Sequence, residues 1–113
     1  MMDNKENKVC ELGKEELEKV TGGVDKHDFP ADVVRKCENA IGWADTLLMV
    51  LNSYGTQYRA IADNTEELIY QLSQYRLEAA IWRFQNVQNA IRYWGCTEKH
   101  VLQCVEEIRA ILE

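Results

Sequence analysis

The sequence predicts an all-α fold, and three observations carry the prediction. Apolar residues recur at helical spacing from Val33 to Ala62, again from Leu68 to Trp94, and again from Val101 to Leu112. No stretch alternates apolar and polar residues as a half-buried strand would. Asn64 and Glu67 have the spacing of a capping box, which starts a new helix where the first stripe ends. Two long amphipathic helices joined by a tight turn bury their stripes by lying antiparallel, and a shorter third helix folds back on the pair. The expected architecture is an antiparallel helical hairpin plus a third helix, a three-helix bundle over residues 24–113, preceded by a flexible N-terminal segment over residues 1–23.

The N-terminal segment comes first in the chain and has its own pattern. At 100° per residue Leu12, Leu17 and Val20 fall within an arc of about 140°, a narrow apolar face on an otherwise charged peptide. Such a face suits a hydrophobic groove on a partner. Gly22 and Gly23 carry no Cβ, so they can run extended through a passage too tight for a side chain and let a nucleophile approach the peptide carbonyl. An ordinary surface helix over Lys14 to Val20 that ends at a glycine C-cap is the alternative reading.

The positions Leu12, Glu16, Leu17, Val20, Gly22 and Gly23 resemble the double-glycine leader peptides of bacteriocin-type precursors. Gly13 stands where that family usually has Ser, which slightly weakens the helix. The resemblance covers about the first fifth of the chain. It implies that Leu12, Glu16, Leu17 and Val20 are read by a papain-like cysteine peptidase domain fused to an ATP-driven (ABC) exporter. It also implies a cut between Gly23 and Val24, synthesis in a bacterial cytoplasm, and secretion of a bacteriocin-like or signalling protein once the leader is removed. A cytosolic helical-bundle interaction protein, or one like the bacteriocin immunity proteins, is the alternative.

Val24 to Phe29 reads as a tether, with Asp28 and Pro30 as a helix start. The first helix is expected over about 30–62. Gly55 permits a break near Ser53 to Thr56, but the stripe keeps its phase through Tyr54, Tyr58, Ile61 and Ala62, so a continuous helix is expected at the modest cost of a helical glycine. The second helix is expected over about 65–94, carrying Leu68, Leu72, Tyr75, Ala79, Trp82, Val87, Ala90, Ile91 and Trp94 and closed by Gly95. The third, over about 97–112, carries Val101, Leu102, Val105, Ile108 and Leu112. Matching levels across the hairpin places Trp43, Phe84 and Trp82 together in the core, and Tyr54, Tyr58 and Tyr70 near its tip as an aromatic core group or a partner-binding patch.

Cys10 lies in the leader and Cys37, Cys96 and Cys104 in the remainder. A third helix parallel to the first would bring Cys104 level with Cys37, which makes that pair the disulfide candidate. Buried or partly exposed free thiols are the alternative. Cys96, His100 and Cys104 with Cys37 have zinc-ligand chemistry, but three ligands spread over two helical turns do not converge on one ion, so no metal site is expected. With only His27 and His100 as histidines and no phosphate-binding glycine loop, neither catalysis nor a cofactor is expected.

The chain has 13 Lys and Arg against 19 Asp and Glu, a net charge of −6. After a cut at Gly23 the remainder holds 9 basic and 13 acidic residues. Nothing in that balance attracts phosphate backbones or anionic membranes, so no nucleic acid is expected as a partner. The longest apolar run, Leu47 to Leu51, is far short of the roughly 20 residues a membrane span needs, and no secretory signal peptide precedes it. The partners expected are therefore the exporter, through the leader, and an unidentified protein or cell-surface target for the mature domain.

Overall fold

The computed structural model describes residues 26–113. The leader positions Leu12, Glu16, Leu17, Val20, Gly22, Gly23 and Val24 lie outside the described residues. Within them the chain is all-α, with no strand. A short 3₁₀ turn, Lys26–Asp28, leads into four helices, α1 (Ala31–Asn52), α2 (Arg59–Ser73), α3 (Leu77–Tyr93) and α4 (Lys99–Leu112). Pro30 is the N-cap residue of α1 rather than part of its first turn, and no side chain caps that end.

Each long helix expected from the sequence is thus broken, and the two become three, with α2 running through the expected boundary at residues 63–64. The first breaks over residues 53–58, where Gly55 takes a left-handed φ of 73° and its N–H bonds to the Asn52 carbonyl at 3.0 Å. The expected continuous helix fails because the turn lets α2 fold back along α1 and bury both stripes within one chain. The capping box fails for the same reason. Asn64 sits inside α2 and donates to the Ala60 carbonyl at 2.9 Å, while buried Thr65 donates to the Ile61 carbonyl at 2.9 Å. Both side chains bond back to a turn already formed and start nothing.

The second break, over residues 74–76, has no glycine. Tyr75 adopts φ 58°, its N–H bonds to the Leu72 carbonyl, and the Arg76 N–H reaches back to the Gln71 carbonyl, both at 3.1 Å. These are the paired bonds of a Schellman motif with tyrosine at the left-handed position. The turn resets the helical phase. On α3 the buried residues are Ala80, Phe84, Val87 and Ile91, while Trp82 is 55% exposed and Trp94 is 54% exposed. Phe84 therefore lies in the core without Trp82, and Trp43 packs on its edge.

α1 packs against α2 and α4, and α2 against α3, whereas α3 and α4 scarcely touch. The buried core is largely aliphatic, with Leu47 and Leu51 from α1, Ile61, Leu68 and Leu72 from α2, and Val101 and Ile108 from α4, and Phe84 is its contribution from α3. The up-down-up-down path puts the 53–58 and 94–98 turns at one end of the bundle and the 74–76 turn at the other, beside Phe29. Phe29 and Tyr75 meet there with ring centroids 5.5 Å apart. No helix among the described residues is long and apolar enough to cross a membrane.

Candidate functional site

Two phenols and a carboxylate converge where the 53–58 and 94–98 turns meet. Gly95 closes α3 at φ 64°, with its N–H on the Arg92 carbonyl at 3.2 Å and the Cys96 N–H on the Ile91 carbonyl at 3.0 Å. This second Schellman motif turns the Cys96 side chain inward, where it is 4% exposed. Glu98 is the N-cap residue of α4, but its carboxylate does not cap the helix. It accepts instead from two phenols of the other turn, Tyr54 at 3.2 Å to Oε1 and Tyr58 at 3.3 Å to Oε2. The two rings meet edge to face at 5.5 Å.

Burial, then the neighbouring Cys96 thiol and Glu98 carboxylate, push the Tyr58 phenol up to about 12. Tyr54 is raised by the same kinds of neighbour, burial first and Glu98 next. Both phenols stay protonated donors at neutral pH, so the carboxylate is held by charge-assisted bonds from two directions. At the end of α3 Tyr93 and Trp94 stack edge to face at 5.3 Å, and Tyr93 is 81% exposed.

The structure assembles the sequence-predicted site residues differently. Tyr54 and Tyr58 come together as expected, but Tyr70 is exposed on α2, about 18 Å further along the helix axis at 1.5 Å per residue. The disulfide candidate is not formed, since Cys37, Cys96 and Cys104 are all buried free thiols. Register explains this. α4 starts at the end where α1 finishes and runs antiparallel to it, not parallel. Cys37 lies about 22 Å below that end and Cys104 about 8 Å below it, an offset far beyond the reach of a disulfide. Burial, with Glu38 beside Cys37 and Glu107 beside Cys104, raises both of those thiols. No group of three or more metal-ligating side chains is gathered among the described residues.

Sequence reasoning missed Glu98. An acidic residue at a helix start reads as an ordinary cap, and nothing in the one-dimensional pattern shows that its acceptors face two tyrosines forty and forty-four positions earlier.

The opposite end holds a weaker version of the same arrangement. Tyr75 donates to exposed Glu38 at 3.1 Å, and Glu38 also pairs with Lys26 at 3.8 Å. Open grooves flank Phe29, one lined by Lys26, Val34 and Arg35 and the other by Val33, Tyr75 and Leu77.

Comparison with protein families, with curated proteins and with solved structures finds no match for the chain.

Proposed function

We propose that the chain is the precursor of a small exported protein, bacteriocin-like or signalling, cut after Gly23 and carried out by a peptidase-containing ABC exporter. The observation that carries this reading is the six-position pattern from Leu12 to Gly23, in register and close to the start of the chain. In this reading Leu12, Leu17 and Val20 dock in the peptidase groove, Glu16 lies beside them, and the side-chain-free Gly22 and Gly23 enter the active site. The mature Val24–Glu113 domain then acts by binding a protein or cell-surface target, without a cofactor or catalysis of its own.

A second reading, a cytosolic helical-bundle interaction or immunity-like protein, is favoured by one observation, the three free thiols at Cys37, Cys96 and Cys104, which suit a reducing compartment. One experiment separates the two. Purified double-glycine peptidase should cut the chain between Gly23 and Val24. Gly23→Phe should block the cut while leaving docking intact, because it fills only the passage. Leu17→Lys should weaken docking, because a charge would have to be desolvated in an apolar groove. A wild-type chain left whole, or a Gly23→Phe chain cut as fast as wild type, overturns the export reading in favour of the second.

A further inference from the structure

We propose that the Tyr54–Glu98–Tyr58 clasp is a latch: it pins the start of α4 to the α1–α2 turn, and its release opens the 94–98 turn locally, uncovering Cys96 while the helices stay folded.

Three observations carry this. Besides the helix-end bonds of the Trp94 N–H to the Ala90 carbonyl and the Leu102 N–H to the Glu98 carbonyl, the 94–98 turn is tied down by the two Schellman bonds of Gly95 and Cys96 and the two phenol bonds to Glu98, and Tyr93, Trp94, Gly95 and Thr97 are exposed. α3 and α4, the helices this turn joins, scarcely touch, so the turn has no flanking interface to move with. Beneath it, Cys96 is 4% exposed and belongs to the buried cluster, but it sits in the turn itself, outside any helix, with the Tyr54 and Tyr58 phenols beside its thiol. Cys104 and Cys37 are buried to a similar degree, but each sits inside a helix facing the core. Exposing either of those requires displacing a helix, which costs nearly the whole stability of the fold. Exposing Cys96 requires only that the latch and one turn give way. Three thiols of similar burial therefore differ in the size of the opening that exposes them, and this inference stands independently of the export reading.

Alkylation of the full chain with N-ethylmaleimide, followed by peptide mapping, reads all the cysteines in one experiment. Cys10 is read as its own peptide and does not enter the comparison. In the wild type Cys96 should react at least tenfold faster than Cys37 and Cys104. Glu98→Ala should speed Cys96 by about tenfold and leave the other two unchanged. Tyr54→Phe, which removes one phenol bond and keeps the ring, should give a smaller increase confined to Cys96. The latch is overturned if Cys37 or Cys104 matches Cys96 in the wild type, if neither variant changes the Cys96 rate, or if all three rates rise together. Circular dichroism of each variant identifies a chain that has failed to fold, and Tyr54→Phe then decides the matter alone.

Discussion

The ends of α2 and α3 are closed by the same pair of backbone hydrogen bonds, but the residue at the left-handed position is Tyr75 in one and Gly95 in the other. Glycine adopts that conformation freely, whereas a side chain there costs roughly 1–2 kcal/mol. The tyrosine turn must be held by something else, and its side chain supplies it through the bond to Glu38 and the contact with Phe29. Nearby, on the last turns of α2, the Gln71 side-chain oxygen is buried without a partner. The glycine turn carries no such cost, and its side-chain bonds all reach across to another turn. One end of the bundle thus uses tyrosine to hold a strained backbone, and the other uses tyrosines to hold a second segment.

The largest effect expected from this contrast lies on α3, whose phase the Tyr75 turn resets. Phe84→Ala should cost about 3–5 kcal/mol, as for a fully buried aromatic ring. Trp82→Ala should cost under about 1 kcal/mol, because that ring is half exposed and loses chiefly the Arg83 guanidinium 4.9 Å from its centroid. Chemical denaturation of both variants gives the ratio. Equal costs would mean that α3 keeps the phase of an unbroken helix and that the turn at Tyr75 does not form.

This phase shift also shows how far the sequence could be read. Gly95 was legible as a helix end because glycine at that position has a known backbone use, and the stripe on α4 was legible because no turn interrupts it. Gly55 was legible as a permitted break, but the stripe running through it favoured continuity, and only the packing of α2 on α1 decides between the two. Tyr75 was illegible. Tyrosine is not a turn residue by propensity, and its left-handed backbone is fixed by Glu38 and Phe29, which lie far away in sequence. From that single miss follow the misplacement of Trp82 and Trp94. The one additional turn, three where two were expected, then reverses α4 relative to α1, which removes the expected Cys37–Cys104 pairing. Glu98 was hidden because its cap position is an ordinary place for a carboxylate.

The strain itself is measurable by comparing glycine with alanine at both turns. Gly95→Ala should cost about 1–2 kcal/mol, all of it conformational, since beyond the adjoining residues no atom lies within 4 Å of the added Cβ. Tyr75→Ala and Tyr75→Gly lose the same ring, so the difference between them reads the backbone alone. Tyr75→Gly should be the more stable by roughly 1 kcal/mol, the reverse of the order inside a helix. If the two were equally stable, Tyr75 would not need the left-handed conformation and the two turns would differ in geometry as well as in residue.

A smaller effect is expected at Gln71. Replacing it with Met keeps an unbranched side chain of similar length and removes the orphaned acceptor, so Gln71→Met should gain about 1 kcal/mol in thermal denaturation. A loss would show that the oxygen is satisfied in solution, by water or by a turned amide, and that the tyrosine-closed end is less costly than its bonding suggests.

The subtlest expectation concerns pH at the glycine-closed end. The Tyr58 phenol is raised from its ordinary value near 10 to about 12. Between those values the folded chain keeps a proton that the unfolded chain has released. Higher pH then favours unfolding, so the contribution of Tyr58 is fully present below about pH 10 and is lost as pH rises through about 12. Tyr54 and Tyr75 are raised as well, so all three lose their contribution to stability in the same sense as pH rises. The fall in melting temperature across this window should be shallower for Tyr58→Phe than for the wild type, while the two curves run parallel below pH 9. An equal slope in both would mean that Tyr58 titrates as an exposed phenol does, and that the carboxylate of Glu98 is held by Tyr54 alone.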